Sequence, residues 1–156
     1  MLLAFNTIQQ WLDSVNRRKR FFCNGVGAAL DLLVRLTLAN VFFSSGWVKF
    51  LDWDSTLFLF QEEYKVPFLP ADAAAFLATG AELGLSVLLA LGLLTRFSAL
   101  GLFVLNGVAV VAYYGTLKDS PAALLSHWYW GLLLCSVMVG SIKQLTADFW
   151  IKRVFF

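Results

Sequence analysis

Residues 73–94 read AAAFLATGAELGLSVLLALGLL, an apolar run interrupted by a single charge, Glu82. A helix rises 1.5 Å per residue, so ~20 such residues cross the ~30 Å hydrocarbon core of a bilayer. A strand of a membrane barrel would turn a polar residue to the lumen at every second position. The stretch Leu85-Ser86-Val87-Leu88-Leu89-Ala90-Leu91 does not alternate, so the run reads as a spanning helix. Three further runs of similar character lie at 21–47, 97–114 and 122–141. Glycine recurs within them, as it does in membrane helices generally. The expected architecture is all-α: an integral membrane four-helix bundle in one domain, 21–148.

Composition leads to the same place. The chain has 156 residues, 60% of them hydrophobic and 14% charged, against roughly 45–50% and 25% in soluble domains. A globule of this size cannot bury so much apolar surface, so the lipid bilayer is the expected partner. A disordered chain and a disulfide-rich secreted module are excluded. The net charge of +2 is too small to mark a nucleic-acid binder. Cys23 and Cys135 fall in apolar runs without CxxC or metal-ligand spacing and read as small hydrophobes. The basic cluster Arg17-Arg18-Lys19-Arg20 has sixteen residues before it and no small-residue cleavage site after it. The first run is therefore expected to be a retained span, not a signal peptide.

The flanks give an orientation. Eight Lys and Arg residues (17, 18, 19, 20, 96, 143, 152 and 153) lie on one side and three (49, 65 and 118) on the other. The positive-inside rule then places both termini in the cytoplasm. Residues 1–20 set Phe5, Ile8, Trp11, Leu12 and Val15 near one stripe ahead of the basic cluster, as an interfacial amphipathic helix would. An interfacial tail is expected over 149–156. In the longest connection, Asp54 or Ser55 is the expected cap of a short helix ended by Pro67 and Pro70.

Ionisable groups at bilayer depth cost at least ~2.5–3.5 kcal/mol each, so they require partners or a purpose. They are Asp31, Arg35, Glu82 and His127, with Lys49 at the boundary. Asp31 and Arg35 are four residues apart and share a helix face; at ~100° per residue Gly46 and Lys49 fall on the same stripe. Asp31 is ten residues into the first run, and Glu82 nine into the second, which runs the other way. Asp31, Arg35 and Glu82 are thus expected to meet near the midplane. Gly80 and Gly84, a small-xxx-small pair around Glu82, are expected with Gly46 to let the helices approach.

The five ionisable residues are the candidates for ligand binding or proton relay; the plainer alternative is that they satisfy one another as glue between helices. His127 stands beside Trp128, Tyr129 and Trp130, which suit an aromatic belt, and Asn106 suits an interhelical hydrogen bond. Met138 and Cys135 are spread over about three turns from His127 and close no metal site. There is no GxxxxGK[ST], GxGxxG after a strand, HExxH or GxSxG, so no motif of a soluble-type enzyme is present.

Arg35 followed by Phe43-Ser44-Ser45-Gly46-Trp47-Val48-Lys49, then Glu82-Leu83-Gly84 followed by Leu91-Gly92-Leu93-Leu94-Thr95-Arg96, resembles the DoxX family of small bacterial membrane proteins. Pro67 and His127 fit the same pattern. The resemblance implies a four-helix inner-membrane protein. Some members are linked to quinone-dependent sulfur oxidation, others to membrane redox or thiol homeostasis, and related proteins accompany small metal-binding peptides. The expectation it carries is an accessory subunit of quinone-linked or thiol redox chemistry, at most a subunit of a membrane oxidoreductase. Quinone is the implied cofactor and other membrane or redox subunits, or a second copy, the implied partners. Arg35 and Lys49 would supply positive charge, and Asp31 and Glu82 would tune it or relay a proton. The rival readings are a transport or export component for a small solute or metal-binding peptide, and a scaffold without catalysis.

Overall fold

The computed structural model describes residues 2–64, 66, 68–140 and 146–148, with side chains from Gly25 onward. Six helices follow in order: α1 Leu2–Leu51, α2 Trp53–Glu62, α3 Ala71–Leu91, α4 Thr95–Ala112, α5 Tyr114–Leu117 and α6 Pro121–Gly140. The described residues contain no strand. Four segments are long and apolar enough to cross a membrane: Gly25–Leu51, Ala71–Leu91, Thr95–Ala112 and Pro121–Gly140. They match the four expected runs, with ends shifted by one to four residues. The helix expected over 1–20 is continuous with the first span, both being parts of the 50-residue α1. The expected tail, 149–156, lies outside the described residues.

The hairpin α3–α4 is the centre of the bundle. α3 packs on α1, α4 packs on α6, and α1 closes on α6. Leu38, Phe42, Leu89, Ala99, Leu102, Leu134 and Val137 fill the space between them. A third or less of each span is buried, down to 17% for α6. Side chains such as Val48, Val111 and Val139 project outward. In water that surface would be prohibitive; in hydrocarbon it costs nothing, because lipid tails are as apolar as the side chains.

Where helices touch most closely, a residue without a side chain stands at the crossing. A Cβ on Gly46 would lie 2.9 Å from Glu82 Cβ and 3.0 Å from Leu83 Cγ, so Gly46 sets the α1–α3 approach. Gly101 does the same for α4 against Leu85 of α3. Gly80 and Gly84, the expected packing pair, face open space with no heavy atom within 4 Å. The contact is made one residue-step around α3, through the Glu82 and Leu83 side chains.

The two ends of the bundle differ. At one end α2 folds back over the helix ends and buries Phe60 against Ala74 and Ala75. Its cap is Asp52, which accepts from the Ser55 amide at 3.2 Å, and neither Asp54 nor Ser55 fills that role. The helix begins two or three residues earlier than expected because α1 runs on to Leu51 and leaves only Asp52 for the turn. At the other end Gly92, with φ +70°, terminates α3 and Leu94 (φ +46°) leads into α4. The cap of α4 comes from afar: Asp148 accepts from the Leu94 amide at 3.0 Å, the Thr95 amide at 3.1 Å and Thr95 Oγ1 at 3.3 Å.

Candidate functional site: a chamber at the α2 end

The expected single charge cluster is two separate ones. Arg35 is fully buried near the α3–α4 turn, donating Nε to Asp31 Oδ2 at 3.0 Å and Nη1 to the Leu89 carbonyl at 3.4 Å. Leu89 belongs to the last turn of α3, where the helix dipole favours a cation. A Cβ on Gly92 would meet both Arg35 Nη1 and Thr146, each at 2.8 Å, so Gly92 and Thr146 stand against this pair. Glu82 is elsewhere. Lys49 Nζ reaches its Oε2 at 2.7 Å and Oε1 at 2.9 Å, and Ser45, one turn before Lys49, is 2.7 Å from the same Nζ.

Span length explains the division. Residues ten in from one face and nine in from the other coincide only if the helix crosses in ~20 residues. The first span has 27. Asp31 lies 20 residues from Leu51, whereas Glu82 lies 11 from Ala71, a mismatch of about nine residues or ~14 Å along the axis. The antiparallel register set by Gly46 instead brings Glu82 level with the last turns of α1. Lys49, which shares the stripe with Arg35, is the partner that this register supplies.

The Lys49–Glu82 pair stands in the wall of a cavity of about 530 Å³. Val41, Phe42, Leu77, Ala78, Ala81, Leu105 and Ala109 give it mainly apolar walls. His127 of α6 and Asn106 of α4 form a second polar pair on the lining. Asn106 Nδ2 donates to the His127 carbonyl at 2.9 Å, and Asn106 Oδ1 is 2.8 Å from His127 Nδ1. A carbonyl can only accept, so the amide is oriented with its oxygen toward the ring. His127 Nδ1 must then carry the proton, which leaves Nε2 of the neutral ring as an acceptor. Aromatic edges complete the walls: Tyr64 meets Phe60 at 4.8 Å and Tyr113 at 4.7 Å between centroids, and Trp130 meets His127 at 4.9 Å. Tyr64, in the connection after α2, has its phenol pushed above the ordinary value by burial first, and then by Tyr113, Glu63 and Glu82. It therefore remains a hydrogen-bond donor.

A second cavity, of about 490 Å³, lies between α1 and α2 and is lined by Ser44, Asp52, Ser55 and Thr56. Ser45, Lys49, Phe60 and Tyr64 line both cavities, so Lys49 stands where the two meet.

Of the five candidates, then, Lys49, Glu82 and His127 share the chamber, and Asp31 and Arg35 form a pair at the opposite end. Ser45, Tyr64 and Tyr113 were not among the candidates. Ser45 had a signal, standing four residues before Lys49 on one helix face; the tyrosines come from connections, where no periodicity applies. Among the described residues no three His, Cys, Asp or Glu side chains group as a metal site would.

Four apolar helices enclosing a chamber with an ion pair in its wall define a multi-pass membrane protein with an internal cavity. The family model for DoxX matches residues 30–115, more than half of the chain. The chain belongs to the DoxX family. It is also 33% identical over 141 residues to an uncharacterized protein of Haemophilus influenzae, an alignment covering 84% of this chain and 89% of that one. No solved structure gives a significant match.

Proposed function

We propose that the chamber binds the ring of a lipid-soluble quinone or quinol and handles its protons, as the membrane subunit of a redox system in the bacterial inner membrane. The observation that carries this is the convergence of a Lys–Glu pair and a His–Asn pair on one apolar cavity within the spans. A volume near 530 Å³ lies in the ~300–1,000 Å³ range of small-molecule pockets, which pair apolar walls with a few placed polar groups. A quinone ring is a flat apolar body with oxygens on opposite edges. Lys49 suits one oxygen as donor, and His127 Nε2 suits a quinol hydroxyl as acceptor. Quinone takes up two electrons and two protons to give quinol; the electrons come from a partner redox subunit. Glu82 and His127 are the groups of this chain placed to exchange the protons, and Lys49 holds charge balance at Glu82. Asp31 and Arg35 stand apart from the chamber and act as structural closure of the turn end.

The test is chemical. Protein purified in mild detergent from quinone-replete membranes is extracted and analysed by mass spectrometry, beside Glu82→Gln and His127→Ala. The expected result is quinone retained near one per chain by the wild type and depleted in both variants. Failure of the wild type to retain quinone, together with failure to bind added long-chain ubiquinone, overturns the reading. Solute accumulation by proteoliposomes would point to transport instead.

A further inference from the structure

The chamber's walls are not equally closed. On α1 and α6 every lining residue is buried or half-buried. The exposed lining residues are Leu69, just before α3, Leu77 on α3, and Val108 and Ala109 on α4. Leu77 is 56% exposed and Val108 36%. These two stand opposite one another: α3 and α4 touch where Gly101 meets Leu85. Leu77 lies eight residues from that contact and Val108 seven, ~11–12 Å along each helix. At this level Leu77 and Val108 each line the cavity and are also exposed, so the cavity reaches the outer surface between α3 and α4. The flanking Phe76 and Val111 project outward at 70% and 68% exposure, as lipid-facing residues do. The opening is therefore sideways, at hydrocarbon depth, and apolar on both jambs.

We infer that the gap between Leu77 and Val108 is a lateral portal through which the ligand enters from the lipid and along which its hydrocarbon tail lies after binding. This rests on the reading of the chamber as a quinone site and adds how the molecule arrives and which part of it stays outside. A tail in the portal remains solvated by lipid and need not be buried, so the cavity has to accommodate only the ring. A ligand without a tail gains nothing from the portal.

Binding of two probes separates the two ideas: ubiquinone-10 and its tail-less ring analogue, 2,3-dimethoxy-5-methyl-1,4-benzoquinone, both measured in nanodiscs. Leu77→Trp and Val108→Trp narrow the portal from opposite sides, and Val104→Trp adds the same indole to a lipid-facing position of α4 outside the lining. Two portal variants guard against one failing to fold, and a monodisperse elution profile is required of each. The expected result is at least about a tenfold loss of ubiquinone-10 affinity in both portal variants, ~1.4 kcal/mol, with the tail-less analogue and the Val104 control unchanged. Equal losses for both probes, or no loss for either, overturn the portal while leaving the chamber. Wild-type binding of neither probe overturns the chamber and the portal together.

Discussion

Lys49 and Glu82 are 19% and 12% exposed at the side chain and 2.7 Å apart, so each is the other's main compensation for leaving water. Removing one partner of such a pair leaves the other charge unsatisfied, at ~3–5 kcal/mol, whereas replacing both with apolar groups is often close to neutral. Lys49→Met is expected to lower stability by about 3 kcal/mol, and adding Glu82→Leu to recover most of that loss. Thermal unfolding of the four proteins of this cycle in detergent checks it; additive losses would mean the two charges are compensated by other groups. Tyr64 gives a pH dependence with a definite sign. Its phenol titrates above the ordinary value of 10.0, because burial penalises the phenolate. The folded state thus favours the neutral form. The stability this contributes is complete below the unfolded-state pKa of ~10 and is lost as pH climbs through the folded value. The ultraviolet phenolate difference spectrum between wild type and Tyr64→Phe should show a midpoint higher than that of free tyrosine, and Tyr64→Phe should lose less stability at alkaline pH. A midpoint at or below 10.0 would contradict the burial of this hydroxyl.

Helix by helix, the glycines divide into those that hold a crossing and those that do not. A side chain at Gly46 runs into Glu82 Cβ and Leu83, which are close to the backbone of α3 and cannot swing away. Gly46→Val is expected to destabilise by about 1–3 kcal/mol through overpacking and to displace Lys49 from Glu82. Gly84→Ala meets nothing and should gain up to about 1 kcal/mol from helix propensity. Comparing the two by resistance to unfolding in detergent decides whether α1 and α3 cross at Gly46 as described; the reverse order would place the crossing at Gly84. The same contrast shows what the amino-acid sequence makes legible. Four spans are readable because ~20 consecutive apolar residues are a local property, and Leu85 to Leu91 already rules out strands. Register is not local. It depends on where the 27-residue first span ends and on which glycine meets a side chain, and the spacing Gly80-xxx-Gly84 looks the same whether or not a helix faces it. The pair Asp31–Arg35 was legible from its i,i+4 spacing, and Lys49 from the stripe, but the partner of Glu82 required the register. Asp148 capping α4 from 53 residues away has no local signal.

For the molecule as a whole, the way it sits in the bilayer has mechanical consequences. The α2 end holds the chamber, the second cavity and the proposed portal, and the α3–α4 turn end holds the Asp31–Arg35 pair with Thr146 beside it. By sequence, eight Lys and Arg residues (17, 18, 19, 20, 96, 143, 152 and 153) fall on the side of the turn end and three (49, 65 and 118) on the other. The translocation machinery retains such clusters in the cytoplasm. The arrangement expected from this bias turns the α2 end outward, which would open the proposed portal into the outer leaflet and face the cleft between α1 and α2 to the periplasm. Protons moving between Glu82 and water would then cross by way of Lys49 and Ser45 to that side. Labelling decides it. With Cys23 and Cys135 replaced by Ser, a cysteine at Ser55, which is exposed and lines the cleft, is expected to react with a membrane-impermeant maleimide in cells whose outer membrane alone is permeabilised. A cysteine at Leu94, 59% exposed in the α3–α4 turn, should react only once the inner membrane is breached as well. The opposite pattern would invert the molecule and move the cleft to the cytoplasm; the charge bias would then have to be outweighed by some other determinant of insertion. Labelling of both cysteines before the inner membrane is opened would be incompatible with an odd number of crossings between residues 55 and 94, and hence with α3 as a span.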